Sequence, residues 1–367
     1  MRIVVRTVAW SAALLAAVIA VVVFSTTLGP ASIGPATVLK ATLNGVAIPT
    51  SVAVSGATVT PFGVLSVPVP AVDIGWSQPF SFAVAEKDAI IVRLVRLPRI
   101  LLGAVVGFAL ATAGTVMQGF FKNPMADPSI IGVSSGAAVG AVLTIAFPLA
   151  LPFGLQAAAF IGALGAAAVV YLIATENGRT PVATLLLAGV AIQTFLGAVI
   201  SYLLLQADEG LREAVVWLMG HLNRASWDDV VITAPLAALF FLLLLAYARD
   251  MNALLLGEED AASLGIAVER TKRLLLAGSS IITAAAVAVT GVIGFVGLIV
   301  PHVMRLLVGP DHRILLPTSA LAGAAFLVLA DTVARVGPAE VPVGIVTAAV
   351  GAPFFLLLLA RREVHEL

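Results

Sequence analysis

Long apolar runs separated by short polar breaks make up most of this chain, and the length of those runs is decisive. A helix rises about 1.5 Å per residue, so about 20 consecutive apolar residues cross a hydrocarbon layer. Such runs fall near residues 95–121, 130–149, 153–174, 181–206, 229–248, 272–292, 294–308, 314–336 and 341–360. A tenth, from Thr7 to Leu28, follows Arg2 and Arg6. A basic start and an apolar core also mark signal peptides, but this run is long and no small-x-small cleavage site follows, so it reads as a retained helix. Segment 294–308 is short and holds Pro301, which predicts a partial helix sheltered by its neighbours.

Residues 29–92 break the pattern. Pro, Gly, Ser and Thr are frequent there, and apolar residues alternate in SVAVSGATVT and FGVLSVPVPAV with the period of a strand. The segment reads as an extracytoplasmic loop with a small β-hairpin. Segment 211–220 predicts a short helix outside the bilayer. The expected fold is therefore all-α, a polytopic membrane protein of about ten transmembrane helices. A first helix lies at 1–28, a loop insertion at 29–92, and a core with nine further helices at 93–367.

Composition supports this and narrows the chemistry. Of 367 residues, 60% are hydrophobic and 11% charged, against about 25% charged in a soluble domain. Zero net charge gives no footprint for nucleic acid. The absence of cysteine removes disulfides, thiolate metal sites and cysteine nucleophiles. His221, His302, His312 and His365 lack metal-ligand spacing, and no G-x-x-x-x-G-K-[ST] cradle for phosphates occurs. No catalytic residue, metal site or bound cofactor is assigned.

Lys and Arg favour the cytoplasmic side of a membrane protein. With the N-terminus inside, twelve of the twenty basic residues face inward, among them Lys122, Arg179, Lys272, Arg361 and Arg362, and both termini are cytoplasmic. Arg96, Arg99, Arg212 and Arg335 are among the eight on the outer side. Asp331 is the main acidic residue inside a span; Arg335, four residues on, predicts an ion pair on one helix face in preference to a proton relay. Glycines four apart (Gly103 and Gly107; Gly132, Gly136 and Gly140) predict close helix packing. What remains is a membrane body with no energy source of its own. An outside engine would explain it; a channel or secondary carrier would look similar.

Three stretches carry more information. RLPRILLGAVVGFALATAGTVMQGFFKNPMADPSIIGVSSGAAVG (96–140), GEEDAASLGI (257–266) and TGVIGFVGLIVPHVMRLLVGPDHRILLPTSALAGAAFLVLADTVARV (290–336), continued by EVPVGIVTAAVGAPFFLLLL, closely resemble the FecCD family of ABC importer permeases. Members of that family carry cobalamin, ferric siderophores or haem. The resemblance is strongest to the cobalamin permeases and covers nearly everything from Arg96 onward. It implies a type II ABC importer permease fold and a homodimer in the cytoplasmic membrane. Two copies of a separate cytoplasmic ATPase, which consume the ATP, and an extracytoplasmic substrate-binding protein are the implied partners, together with membrane lipid.

The resemblance also implies roles. Arg96, Arg99 and Arg335 match positions that dock the binding protein; interfacial snorkelling by long cationic side chains is the plainer alternative. Within a cytoplasmic segment at 250–270, Glu258, Glu259, Ala261, Ala262, Leu264 and Gly265 match the ATPase-coupling element. Asn123 and Met125 of NPMADP match a cytoplasmic gate, with turn chemistry at a helix end as the alternative. A second gate near Pro181–Thr184 lacks the expected hydroxyl pair. The path is expected along the fifth helix, around Gln193 to Gln206. The 29–92 segment exceeds the usual loop of the family and reads as an inert insertion, with contact to the binding protein as the alternative.

Overall fold

The computed structural model describes residues 2–29, 31–59, 67–147, 154–337 and 339–360. Arg361 and Arg362, expected at the cytoplasmic side, lie outside these residues, as does the middle of the 29–92 segment. The chain divides into two compact units, one formed by Met1–Pro30 with Pro98–Leu367 and the other by Ala31–Leu97.

The larger unit begins with α1 (Arg2–Thr27) and resumes with α4 (Leu97–Phe120), since α2 and α3 belong to the smaller one. There follow α5 (Val133–Ala146), α6 (Gly154–Ala174), α7 (Val182–Leu205), a short α8 (Leu211–Leu218) and α9 (Trp227–Ala246). Then come α10 (Ala248–Leu256), α11 (Glu258–Ser263), α12 (Val268–Thr290), α13 (Val296–Val308), α14 (His312–Val336) and α15 (Val343–Ala360). Among the described residues, seven helices are long and apolar enough to cross a membrane, and α5, α13 and α15 are shorter apolar helices. These ten coincide with the ten runs read from sequence. α13 is the partial helix expected at 294–308; it holds Pro301 and starts only after Phe295 adopts a left-handed conformation with φ 68°.

α4 is apolar and buried all round, as expected of a helix at the centre of a bundle. Leu102, Val106 and Leu110 belong to one buried apolar cluster with Ile314, Leu315 and Leu327 of α14, and Met117 and Phe120 belong to another with residues of α5 and α12. Glycine permits the closest crossings. A Cβ on Gly107 would strike the Gly323 carbonyl, and one on Gly136 the Gly162 carbonyl. In lipid, where apolar burial does not drive helices together, such close van der Waals contact supplies the association.

In the smaller unit, α2 (Pro35–Asn44) precedes two antiparallel strands, β1 (Ile48–Val59) and β2 (Val67–Ser77), paired from Ile48↔Ser77 to Val59↔Val67. This is the hairpin the alternation predicts. Both strands are edges, so Pro49, Pro68 and Pro70 are tolerated. α3 (Glu86–Ile90) and a π-helical stretch, Ile91–Arg96, close the unit. Ile33, Val38, Ala41 and Val92 form its core, and the Asn44 side chain bonds both the N–H and the C=O of Phe82 at 2.8 Å. The sequence pattern does not reveal α2 or α3, because their apolar positions are few and lie in a Pro- and Gly-rich setting.

Candidate functional site

The larger unit carries polar clusters at two opposite ends of its long helices. At one end, α14 brings Asp331 and Arg335 onto one face, paired at 2.9 Å as the spacing predicts. α4 adds Arg99, whose Nη2 and Nε lie 2.7 and 3.0 Å from Asp331 Oδ1. Glu340, half exposed, takes the other arm of Arg99 at 2.5 Å. Arg335 also donates to Ser25 Oγ of α1 at 2.6 Å and to the Leu28 carbonyl at 3.3 Å, and Ser25 bonds Thr332 at 2.7 Å. Two of the three expected docking arginines are thus buried and share one carboxylate. Arg96 lies in the smaller unit, where its guanidinium donates to the Ala31 carbonyl. A cavity of about 210 Å³ opens beside Arg99 and Glu340 and is lined also by Arg212, His221 and Asn223. His221 bonds the Thr290 carbonyl, and its burial pushes the imidazole below its ordinary value.

At the opposite end, α10 and α11 form a bent arm. Gly257, with φ 138° and ψ 156°, breaks the helix between them, and Gly265, with φ 84°, ends α11; both conformations suit glycine and few other residues. Ala261 is buried and anchors α11, whereas Glu259, Ala262, Leu264 and Gly265 are exposed. Of the six residues expected to couple to an ATPase, these four form the outward surface, and Glu258 turns inward.

Glu258 meets Lys272 of α12 at 3.1 Å. Lys272, only 4% exposed, also contacts Glu269 at 3.0 Å and donates to the Thr180 carbonyl at 2.6 Å. The Thr180 N–H in turn donates to Glu269 Oε2 at 3.2 Å. A second clasp holds the far end of the arm. Asn252 of α10 donates to Asp311 at 2.7 Å and accepts from the His312 N–H at 2.9 Å. The fork of Arg313 and the Asn252 amide hold the Asp311 carboxyl down to about 2. Sequence reading misses both clasps. Only the Glu269–Lys272 spacing of three residues is visible in the string, while their partners lie far along the chain.

The segment expected to form a gate follows α4. Pro124 and Pro128 exclude a continuous helix, and the chain makes a turn and then a 3-10 stretch, Pro128–Ile131. The exposed Asn123 accepts the Met125 N–H at 2.9 Å, so its side-chain oxygen shapes the turn, and Met125 is half-buried. On α7, Gln193 bonds the Ile130 carbonyl at 2.7 Å and so faces its own chain. The exposed face of α7 runs instead through Leu187, Val190, Thr194, Phe195, Ser201, Tyr202 and Leu205.

Comparison with known proteins gives a consistent picture. The FecCD transport family matches residues 17–361. The cobalamin import system permease protein BtuC of Halobacterium salinarum is 56% identical over 363 residues, 99% of this chain and 98% of that one. The hemin transport system permease protein HmuU of Yersinia pestis is 46% identical, over 73% of this chain and 83% of its own. The Fe(3+) dicitrate transport system permease protein FecD of Escherichia coli is 38% identical, over 82% and 92%. Among solved structures, a metal-chelate type ABC transporter in an inward-facing conformation superposes with a TM-score of 0.77 at 30% identity, over 96% of this chain and 98% of that one.

Proposed function

The chain belongs to the FecCD transport family, and on that premise we propose that it is the permease subunit of an ABC importer that carries cobalamin across the cytoplasmic membrane. The observation that carries the substrate is the extent of one match: 56% identity to a cobalamin import permease over 99% of this chain.

The chain works as one of two copies, with the path between them and both termini in the cytoplasm. Two ATPase subunits press on α11 through its exposed face, and Asn123 and Met125 close the path at that end. A binding protein docks at the end that holds Arg99 and Arg335. Arg99 itself is buried, but its partner Glu340 is half exposed, and a docking protein's carboxylate can exchange with Glu340 at little cost. The permease makes and breaks no bonds; hydrolysis belongs to the ATPase.

Proteoliposomes holding the permease, its ATPase and its binding protein test this reading. ATP-dependent accumulation of cyanocobalamin, with no uptake of haem or ferric citrate, is the expected result. Uptake of haem or ferric citrate in place of cyanocobalamin would move the substrate to the class of the hemin or dicitrate relatives.

A further inference from the structure

A buried lysine needs a reason in a chain so short of charge. Lys272 presents three N–H donors, and three acceptors meet them: the carboxylates of Glu258 and Glu269 and the carbonyl of Thr180. A lysine so enclosed and so fully bonded fixes the positions of its partners, because leaving any of those donors unmet in a dry setting is costly. Its partners come from three different elements. Glu258 opens α11, Glu269 lies in the first turn of α12, and Thr180 stands immediately before Pro181, the residue that caps α7.

The grip on Thr180 is two-sided. Lys272 holds its C=O and Glu269 holds its N–H, so the peptide at that residue is clamped as a strand partner would clamp it. Pro181 follows with φ −63°, a value its ring enforces, and α7 begins at the next residue. No flexible linker separates the clamped residue from the helix. Displacement of the clamp therefore moves the start of α7.

The three legs differ in how easily they release. Glu269 is one helical turn from Lys272 on the same helix. Glu258 is half exposed, belongs to the arm, and borders a cavity of about 220 Å³ shared with Phe120, Lys122, Val182 and Leu254. That cavity gives Glu258 room to swing while Lys272 keeps its other two bonds.

We propose that Lys272 is the relay between the ATPase-facing arm and the path helix: through Glu258 it senses the position of α11, and through Thr180 it sets the position of the α7 N-terminus. This deepens the importer reading and rests on it for the identity of the force. Lys272 is a positioning residue and touches no solute.

Two variants and two measurements test it. Lys272→Met keeps the apolar stem and the volume of the side chain while removing the charge. Glu258→Ala removes the arm's acceptor and leaves Lys272 bonded to Glu269 and Thr180, so folding is preserved even where Lys272→Met fails. In the assembled complex, with cyanocobalamin as the transported probe, the ratio of solute moved to ATP hydrolysed is read in preparations matched for bound ATPase. Solute moved per ATP should fall about tenfold, the size of a typical coupling between contacting residues. Lys272→Arg, whose larger head the neighbouring cavity can accept, should restore most of the ratio. An unchanged ratio in Glu258→Ala overturns the relay, and so does a ratio that falls only in proportion to a loss of folded protein.

The second measurement needs no ATPase. Hydrogen exchange of the permease alone should show faster exchange at residues 180–186 in Glu258→Ala than in wild type. Equal exchange there overturns the mechanical link even if transport is impaired. Failure of the wild-type complex to transport would defeat the importer reading and still leave this comparison decisive for the link.

Discussion

Asp331 shows what a single residue can and cannot disclose from sequence. Its pairing with Arg335 follows from a spacing of four on a helix. The second cation, Arg99, is separated from it by 232 residues, and no local pattern records that contact. The two pairs also differ in energy. Asp331 is 1% exposed and stands between two buried guanidinium groups, whereas Glu340 is 44% exposed. Removing one partner of a buried pair strands the other charge and costs about 3–5 kcal/mol. An exposed partner is worth about 0–1 kcal/mol. Thermal unfolding in detergent should therefore show Asp331→Asn strongly destabilised and Glu340→Gln nearly unchanged. Equal shifts would mean that water reaches Asp331 and that the cluster is not buried in solution.

Elements were legible wherever their pattern was long and local. Each of the ten apolar runs is a helix, and the alternating stretch is the hairpin β1–β2. The arm α10–α11 was legible only in part. Its glycines mark the breaks, but nothing in GEEDAASLGI announces that Glu258 turns inward to a lysine on α12. Gly265 makes the arm testable. Its φ of 84° strains any ordinary side chain, yet a Cβ there would meet nothing. Asn tolerates this conformation far better than other residues and Arg does not. Gly265→Asn should keep co-purification of the ATPase, because it adds little strain and little bulk. Gly265→Arg should lose it by placing a long cation on the exposed face of α11. Loss in both would point to the backbone conformation itself, and retention in both would remove α11 from the contact.

For the whole molecule, the question is which exposed apolar surface faces lipid and which faces the path. The two environments ask for different side chains. Lipid tails accept only apolar ones, whereas a path for a large solute needs a wall that water wets and that binds weakly. Beyond Gln156 in its first turn, the exposed residues of α6 are apolar or glycine, among them Ile161, Val169, Leu172 and Ile173. The exposed face of α7 mixes Leu187, Phe195 and Tyr202 with Thr194 and Ser201. Both hydroxyls bond back to carbonyls four residues earlier, at 2.8 and 3.0 Å, so they line a surface without binding strongly to what passes. Because the chain has no cysteine, single cysteines can be read without background. In the proposed two-copy assembly, Thr194→Cys and Ser201→Cys should react with a membrane-impermeant thiol reagent, since a thiolate forms only where water reaches. Ile161→Cys and Val169→Cys should resist it and react with a lipid-soluble reagent. The opposite pattern would put α6 on the path and α7 against lipid, and a two-copy pore lined by α7 could not stand.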